Sequence, residues 1–255
     1  MNMLTLSEEV DKITGFLQSV EQKTGIHTFV LAWSGGIDST VSLYLLAKAI
    51  PKEHITILHL PYETSYEKDF ITIQNDLNLD PKQFHAFSIK PKVDVLWHPS
   101  QHLESVELTR VRKGNMMARV RMIILYDWAK KLNALVCGTE NKTEDLLGYF
   151  TRFGDAASDI EPIRHLYKTQ VIELAKYLKV PETFITRQPT AGLWDGQTDE
   201  GEFGFSYEEA DEVLFRSFER SKSVEEIKNE GFPNAKKIIA LANRNTFKHE
   251  VPYGL

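Results

Sequence analysis

Residues 30–40 are Val30-Leu31-Ala32-Trp33-Ser34-Gly35-Gly36-Ile37-Asp38-Ser39-Thr40: an apolar segment, two adjacent glycines and a more polar segment. The order predicts a buried strand, a tight turn and the start of a helix. Glycine has no Cβ, so the backbone can turn sharply and approach an anion closely. Amide groups at the start of the helix then point at that anion, and the helix dipole favours negative charge there. The segment therefore predicts a phosphate-binding loop.

Side chains in this segment favour the same interpretation. Ser34, Ser39 and Thr40 supply hydroxyl donors, and Asp38 is explained if it holds Mg²⁺, which neutralises phosphate charge. The simpler alternative is a strand-to-helix turn capped by Asp38 or Ser39, which the glycines alone would favour. The lysine of a Walker A loop is missing, so the segment does not predict a P-loop ATPase or kinase.

Strand and helix patterns alternate along most of the chain. The predicted strands are residues 28–33, 55–60, 84–89 and 134–137, and the predicted helices are residues 10–20, 39–51, 70–77, 114–132, 171–178, 207–220 and 233–243. Residues 189–204, rich in Gly, Asp, Thr and Gln, are predicted to form a mobile loop. The alternation predicts an α/β protein with a Rossmann-like, doubly wound parallel sheet and helices on both faces. Ligands of such sheets bind at the C-terminal ends of the strands.

Composition narrows the class of protein. The chain has 255 residues, a formal net charge of -6 and one cysteine, Cys137. An acidic chain is not expected to bind nucleic acid, because phosphate backbones require clustered Lys and Arg. One cysteine cannot form an intrachain disulfide, so a reducing compartment is expected. No signal peptide and no bilayer-spanning segment is apparent, so we expect a cytoplasmic protein with no membrane partner, folded as one domain over residues 1–255.

The segment Ser34-Gly35-Gly36-Ile37-Asp38-Ser39 resembles the PP-loop of the ATP pyrophosphatases, which have the adenine nucleotide alpha-hydrolase-like fold. This superfamily includes NAD synthetase, GMP synthetase, asparagine synthetase and tRNA-thiolating enzymes. The resemblance implies an enzyme that adenylates a carboxylate or carbonyl group and releases pyrophosphate.

Later segments resemble NAD synthetase in particular. Two of them are Gly138-Thr139-Glu140-Asn141-Lys142-Thr143-Glu144 and Leu147-Gly148-Tyr149-Phe150-Thr151-Arg152-Phe153-Gly154-Asp155, and others are residues 113–122, 166–170, 189–194, 196–200 and, more weakly, 248–252. The resemblance implies that ATP drives the amidation of deamido-NAD (nicotinic acid adenine dinucleotide) by ammonia. The products are NAD, AMP and pyrophosphate, formed through an adenylated intermediate in the final step of NAD biosynthesis. Glutamine-dependent members carry a glutaminase domain, for which the position of the PP-loop leaves no room, so ammonia is expected as the nitrogen source.

The same resemblance implies roles for individual residues. Asp38 and Glu144 are expected to bind Mg²⁺ and, with Lys168, to act in catalysis. The residues expected to bind the substrate ATP are Ala32, Trp33, Ser34, Gly35, Gly36, Ile37, Asp38, Ser39, Thr139, Lys168 and Thr190. Those expected to bind deamido-NAD are Arg119, Arg152, Asp159, Phe247 and Lys248. Family members are typically homodimers, so a homodimer is expected here.

Taken one at a time, several of these residues have simpler structural interpretations. Glu144 alone would be a solvated helix carboxylate, Lys168 a solvated lysine, and Thr139 a turn hydroxyl. Their places in the family segments favour the functional interpretation. Arg119 and Arg121 lie two positions apart on a predicted helix and so point in different directions, and Arg119 is favoured as the ligand residue.

The chain departs from the family pattern on the side of the acceptor substrate. Arg152 stands where many members have lysine, Ala156-Ala157 replace a glycine pair, and Phe247 replaces the histidine of a His-Lys pair. Two alternatives stay open: another PP-loop amidoligase that acts on a different carboxylate, and a nucleotide-binding regulatory module without catalysis. The presence of both Asp38 and Glu144 argues against the regulatory module.

Overall fold

A computed structural model of the chain describes residues 5–63, 67–98, 105–190, 196, 198–250 and 252–253. Its strands are β1 (Thr28–Ala32), β2 (Ile55–His59), β3 (Phe84–Ala86) and β4 (Ala134–Cys137), and they form one parallel sheet in the order β3-β2-β1-β4. The α-helices are α1 (Leu6–Thr24), α2 (Ile37–Ala49), α3 (Glu67–Leu77), α4 (Lys90–Leu96), α5 (Val106–Leu132), α6 (Lys142–Leu147), α7 (Lys168–Tyr177), α8 (Glu182–Ile185), α9 (Asp199–Phe203), α10 (Tyr207–Leu214), α11 (Val224–Asn229) and α12 (Ala235–Asn245).

Alternate residues of the central strand β1 face opposite sides of the sheet. Phe29 and Leu31 join a core that includes side chains of α1, α2 and α7, whereas Val30 joins a core that includes side chains of α4 and α5. All three side chains are buried, which explains why the middle of the strand is apolar on both faces. Helices therefore cover both faces, and the prediction of a Rossmann-like α/β fold is confirmed.

The C-terminal helices build a separate apolar core beside the sheet. Phe203 of α9, Tyr207 of α10 and Ile238 of α12 are buried in it, together with Leu147 of α6. Because α10 also packs on α7, this helical layer is fixed to the α/β part of the molecule. Of the helices formed by the described residues, none combines the length and the apolar character that crossing a bilayer requires.

The strand order reverses between β1 and β4. From β1 the chain continues to β2 and β3 on one side, while β4 lies on the other side. Loops that leave neighbouring strands in opposite directions open a crevice at the C-terminal ends of those strands. In this sheet the crevice lies between the loop after β1 and the loop after β4.

Several predicted elements differ in extent from those observed; the helix predicted over residues 207–220, for example, is α10 up to Leu214 and a π-helical turn over Phe215–Glu219. The strand predicted over residues 84–89 ends at Ala86, and the helix predicted from residue 114 begins at Val106, where the Ser105 hydroxyl accepts from the Leu108 amide at 3.1 Å. The prediction of a mobile loop over residues 189–204 is wrong for Asp199–Phe203, which form α9. Residues 191–195 and 197 of that predicted loop lie outside the described residues.

Candidate active site

The PP-loop, residues 34–39, joins the end of β1 to the first turn of α2 and is closed by its own hydroxyl groups. The Ser34 and Ser39 hydroxyl oxygens lie 3.0 Å apart, and the Ser39 hydroxyl donates to the Gly36 carbonyl at 3.0 Å. Gly36 is the N-cap residue of α2 and makes no side-chain cap to the first amide groups of the helix. Uncapped amide groups at the positive end of a helix dipole favour an anion.

Trp33 forms the apolar floor beneath this loop. Its indole Nε1 donates to the Thr40 hydroxyl at 3.1 Å, and its ring packs against Phe184. Its amide already bonds the Leu58 carbonyl, and its carbonyl accepts from His59 Nδ1 at 3.0 Å. The side chain of Trp33 is buried in the core. Its contact with ATP stays a prediction.

Lys168 brings two distant carboxylates together. Its ammonium nitrogen, Nζ, donates to Asp38 Oδ2 and, at 3.0 Å, to Glu144 Oε1. Asp38 lies in the PP-loop, Glu144 in α6, and Lys168 at the first position of α7, so three separate segments meet at one point. The Lys168 side chain is only 2% exposed, and a lysine so deeply buried requires opposite charge beside it. The structure thus places the three residues predicted to be catalytic in direct contact.

Asn141 holds both carboxylate-bearing segments in place. Its Nδ2 donates to Asp38 Oδ1 at 2.9 Å, while its Oδ1 accepts from the Glu144 amide at 3.0 Å as the N-cap of α6. An amide side chain can donate and accept at once, which a carboxylate in this position could not do. The turn after β4 is therefore tied directly to the PP-loop.

Asp211 of α10 fixes the backbone at the start of α7, where Lys168 lies. One of its carboxylate oxygens accepts from the Thr143 hydroxyl, and the other accepts from the Thr169 amide at 2.8 Å. The Thr143 hydroxyl oxygen in turn accepts from the Lys168 amide at 2.9 Å. The backbone of α7 is thereby held by α6 and α10, which directs the lysine side chain into the crevice.

Tyr207 carries the network on to a further carboxylate. Its hydroxyl oxygen lies 3.2 Å from Glu144 Oε1 and 2.9 Å from Asp199 Oδ2, so its single proton can be donated to either group. Tyr149 also donates to Asp199, at 3.1 Å. Asp199 is buried in α9 and belongs to the site even though its helix lies inside the segment predicted to be a loop.

The balance of charge in the site is negative. Burial raises the pKa of Glu144 to about 7, against the lowering effect of the Lys168 ammonium. Burial alone would lower the pKa of Lys168, but the Asp38 and Glu144 carboxylates outweigh it and raise that pKa. Burial also raises the pKa of Asp199. The ammonium stays charged at neutral pH, and one lysine faces more than one carboxyl group.

This set of oxygen donors fits Mg²⁺. The ion is usually held by one or two carboxylates together with substrate phosphates, and the carboxylates of Asp38 and Glu144 both face the same buried cation. Across the described part of the chain, no group of three or more His, Cys, Asp or Glu side chains is arranged to hold a metal on its own. The geometry fits a metal that arrives with a phosphate ligand better than a preformed structural metal site.

Several residues predicted to bind deamido-NAD lie together near the turn after α6. Arg119 Nη2 donates to the Arg152 carbonyl at 3.2 Å, and the Arg152 guanidinium carbon lies 5.6 Å from the centre of the Phe247 ring. Lys248 Nζ donates to the Phe150 carbonyl at 2.8 Å. The structure brings these side chains into one group, and their role in acceptor binding stays a prediction.

The remaining predicted residues are more dispersed. Asp159 Oδ2 accepts from a backbone amide of β4 at 2.8 Å, which gives this carboxylate a structural contact. Thr139 is half-buried just after β4, and Thr190 is exposed at the edge of the described residues. Arg121 donates to the Leu60 carbonyl at 2.9 Å, a structural contact that agrees with the preference for Arg119 as the ligand residue.

Sequence reasoning gave no role to several residues that organise this site, among them Asn141, Arg187, Tyr207 and Asp211. Asn141 had a usable signal, because asparagine before a helix is a strong N-cap. Arg187 Nη1 donates to the carbonyl of Gly35 in the PP-loop at 2.8 Å, a contact that no local pattern reports. Tyr207 contacts Glu144 of α6, and Asp211 contacts Thr169 of α7; contacts between residues so far apart in the chain also leave no local signal.

The chain is similar to known proteins over almost its whole length. The model of the NAD synthase family matches residues 9–252. The NH(3)-dependent NAD(+) synthetase of Fusobacterium nucleatum is 41% identical over 98% of this chain and 95% of its own length. The protein of the same name from Thermococcus kodakarensis is 40% identical over 100% of this chain and 99% of its own length.

Solved structures with the same architecture include two close in length. The NMN synthetase of Francisella tularensis has a TM-score of 0.83 and 34% identity, covering 99% of each chain. The NH3-dependent NAD synthetase of Campylobacter jejuni has a TM-score of 0.75 and 29% identity, covering 99% of this chain and 100% of its own.

Replacing Lys168 with methionine tests the charge cluster as a structural element. Lys168→Met keeps the length and the apolar stem but leaves Asp38 and Glu144 buried without their cation. We expect the free energy of unfolding to fall by about 3–5 kcal/mol, the usual cost of removing one partner of a buried ion pair. Urea unfolding at neutral pH, followed by circular dichroism, measures this.

Lys142→Met is the matched control. Its ion pair with Glu219 involves side chains that are 27% and 39% exposed, so solvent screens it and the loss is expected to be about 0–1 kcal/mol. Equal losses in the two variants would show that the Lys168 cluster does not contribute beyond an ordinary surface pair.

Proposed function

The chain belongs to the NAD synthase family, and we propose that the crevice between β1 and β4 is where it carries out the family reaction. That reaction is the ATP-dependent amidation of deamido-NAD by ammonia, which gives NAD, AMP and pyrophosphate through an adenylated intermediate. The observation that carries the assignment is the meeting of Asp38, Glu144 and Lys168 beside the uncapped start of α2. A loop that favours phosphate thus adjoins a cation and two possible metal ligands.

In the first step, a carboxylate oxygen of deamido-NAD attacks the α-phosphorus of ATP. The bond from that phosphorus to the oxygen bridging the α- and β-phosphates breaks, and pyrophosphate leaves with the electron pair. Negative charge therefore grows on the leaving group, and groups already oriented towards it lower the barrier. The amide groups of the PP-loop and the charged Lys168 supply this stabilisation, with Thr139 and Thr190 as additional ATP contacts.

Asp38 and Glu144 are the residues that would hold Mg²⁺ for this step. The metal supplies positive charge to the phosphate oxygens and helps to orient them. Asn141 fixes the direction of Asp38 through one hydrogen bond and the start of α6 through the other, so it positions both ligands. Tyr207 helps to position Glu144, because its hydroxyl oxygen lies 3.2 Å from Glu144 Oε1, the same oxygen that accepts from Lys168.

In the second step, ammonia attacks the carbonyl carbon of the adenylate. A carbon–nitrogen bond forms, the carbon–oxygen bond to AMP breaks, and a proton leaves the nitrogen. The protein's part is to orient the acyl group and exclude water, which would otherwise compete with ammonia. Arg119, Arg152, Asp159, Phe247 and Lys248 are proposed to hold the acceptor for both steps.

A second acceptor is favoured by one observation. The Francisella tularensis protein that shares this architecture at a TM-score of 0.83 is an NMN synthetase. The departures of this chain, Ala156-Ala157 and Phe247, also fall on the acceptor side. Amidation of the corresponding nicotinate mononucleotide, by the same two steps, is therefore the second candidate function.

We further propose that residues 1–255 act as one NAD synthetase domain in the cytoplasm, as a homodimer. The single cysteine, Cys137, is buried, which agrees with a reducing compartment. For the dimer, the support is a set of exposed apolar side chains that helix geometry places on one side of α5, namely Leu108, Val111 and Ile123. Apolar side chains exposed along one helix are typical of an association surface.

Light scattering tests the homodimer. We expect the wild-type protein to have the mass of two chains, and the double variant Val111→Glu, Ile123→Glu to have the mass of one, because buried charges oppose association. Ile71→Glu on α3, where the side chain is 55% exposed, is the control and should stay dimeric. A monomeric wild type, or a double variant that stays dimeric, would contradict the proposed surface.

An acceptor assay tests the function. The protein is incubated with ATP, Mg²⁺ and ammonium, and with deamido-NAD or nicotinate mononucleotide, while AMP and the amidated product are measured. We expect NAD and AMP in equal amounts from deamido-NAD, and much less product when glutamine replaces ammonium. Turnover of the mononucleotide alone would favour the second candidate. AMP release that needs neither acceptor would contradict both.

A further inference from the structure

Arg187 links the PP-loop to two other parts of the molecule. Its Nη1 donates to the Gly35 carbonyl at 2.8 Å, and its Nη2 donates to Asp69 Oδ2 of α3 at 2.6 Å. Its guanidinium carbon also lies 5.4 Å from the centre of the Phe184 ring, which is fully buried. These three contacts come from separate elements, so the guanidinium group is held in one place.

The contact with Gly35 determines which way the loop backbone faces. The Gly35 carbonyl and the Gly36 amide belong to one planar trans peptide, so they point in opposite directions. With the carbonyl bonded to Arg187, the amide faces the other side of the loop, where it donates to the Ser34 hydroxyl at 3.2 Å. Rotation of this peptide would turn a carbonyl, which repels phosphate, towards the start of α2.

The close approach also explains why residue 35 is glycine. A Cβ at this position would lie 3.0 Å from Arg187 Nη1, and the backbone has a φ of +84°. The left-handed backbone disfavours any residue with a side chain, and a Cβ at this position would also crowd the guanidinium group. The arginine and the glycine therefore form one structural unit.

The ion pair is better protected than an ordinary surface pair. The Arg187 side chain is 28% exposed and that of Asp69 is 19% exposed. Arginine can bond a carbonyl and a carboxylate at once through its planar fork, which lysine cannot do. Arg187 also precedes Thr190, a predicted ATP contact, in the same extended segment after α8.

We propose that Arg187 is a positioning residue for the pyrophosphate part of ATP. It holds the Gly35–Gly36 peptide so that the Gly36 amide faces the side of the loop opposite Arg187, where phosphate is expected. It also fastens the PP-loop to the segment that carries Thr190. Asp69 keeps the guanidinium in place. The inference rests on the proposed use of ATP at this loop and adds a residue to which the family resemblance gave no role.

Binding measurements on the full-length protein test the proposal. With Mg²⁺ present, calorimetry is used to measure binding of inorganic pyrophosphate and of ATP. Arg187→Ala is expected to weaken both about tenfold or more, as loss of a hydrogen bond to a charged group does. The KM for ATP should rise in parallel, while the KM for the acceptor and the melting temperature change little. Arg187→Lys should recover only part of the loss.

Two further variants separate positioning from general stability. Arg216→Ala removes an arginine of similar exposure whose ion pairs, with Glu212 and Glu230, lie in the C-terminal helices, and it should leave pyrophosphate binding unchanged. Asp69→Asn should weaken binding less than Arg187→Ala. The double variant should be no worse than Arg187→Ala, because both changes remove the same interaction.

Three results would overturn the inference. Wild-type affinity for pyrophosphate in Arg187→Ala would show that the loop does not depend on the arginine. If acceptor binding weakened as much as ATP binding and the melting temperature also fell, Arg187 would have a general structural role. A wild-type protein that binds neither ATP nor pyrophosphate would overturn the proposed function itself, whereas the first two results leave that function standing.

Discussion

A buried ammonium group shared by two carboxylates is the interaction on which the rest of this structure depends. Lys168 and Asp38 lie 130 positions apart in the chain, and Glu144 comes from a third segment. A buried charge without a partner is costly, so the loss of any one of these three side chains is expected to destabilise the packing of the three segments. The parallel sheet makes this possible, because the turns after β1 and β4 leave the same edge on either side of the strand-order reversal.

The surrounding residues serve this cluster in different ways. Asn141 ties the two turns together, Asp211 fixes the start of α7, and Tyr207 connects the cluster to Asp199 in the C-terminal helices. The apolar core of the C-terminal helices therefore contributes directly to the site, since those helices carry side chains that complete it. Asp38 and Glu144 share one lysine, and this shortage of positive charge agrees with a site that receives phosphates together with Mg²⁺.

The sequence alone predicts the strands of the sheet and the turn after β1, for reasons of burial and backbone geometry. The strands around residues 30, 57 and 136 are mostly apolar because both faces of the sheet are buried, and the glycine pair after β1 predicts a turn with room for an anion. The pairing of Asp38 with Glu144 was predicted only through family resemblance, and their direct contact with Lys168 was not predicted, since no local pattern reports a contact across such a distance. Helix α9 was missed because a helix as short as Asp199–Phe203 cannot show periodicity, and the burial of Phe203 comes from tertiary packing. Arg187 was missed for the same reason, because its partners, Gly35 and Asp69, lie far away in the chain.

We propose that Asp38 and Glu144 form one metal-binding pair that Lys168 and the PP-loop complete. The most direct measurement is the rate of AMP release, as a function of Mg²⁺ concentration, for the isosteric variants Asp38→Asn and Glu144→Gln. Both variants keep the shape of the site and lose one negative charge. We expect the rate of AMP release at saturating ATP to fall more than about a hundredfold in each variant, and each variant to require more Mg²⁺. Near-normal rates with an unchanged Mg²⁺ requirement in either variant would contradict the proposed pair.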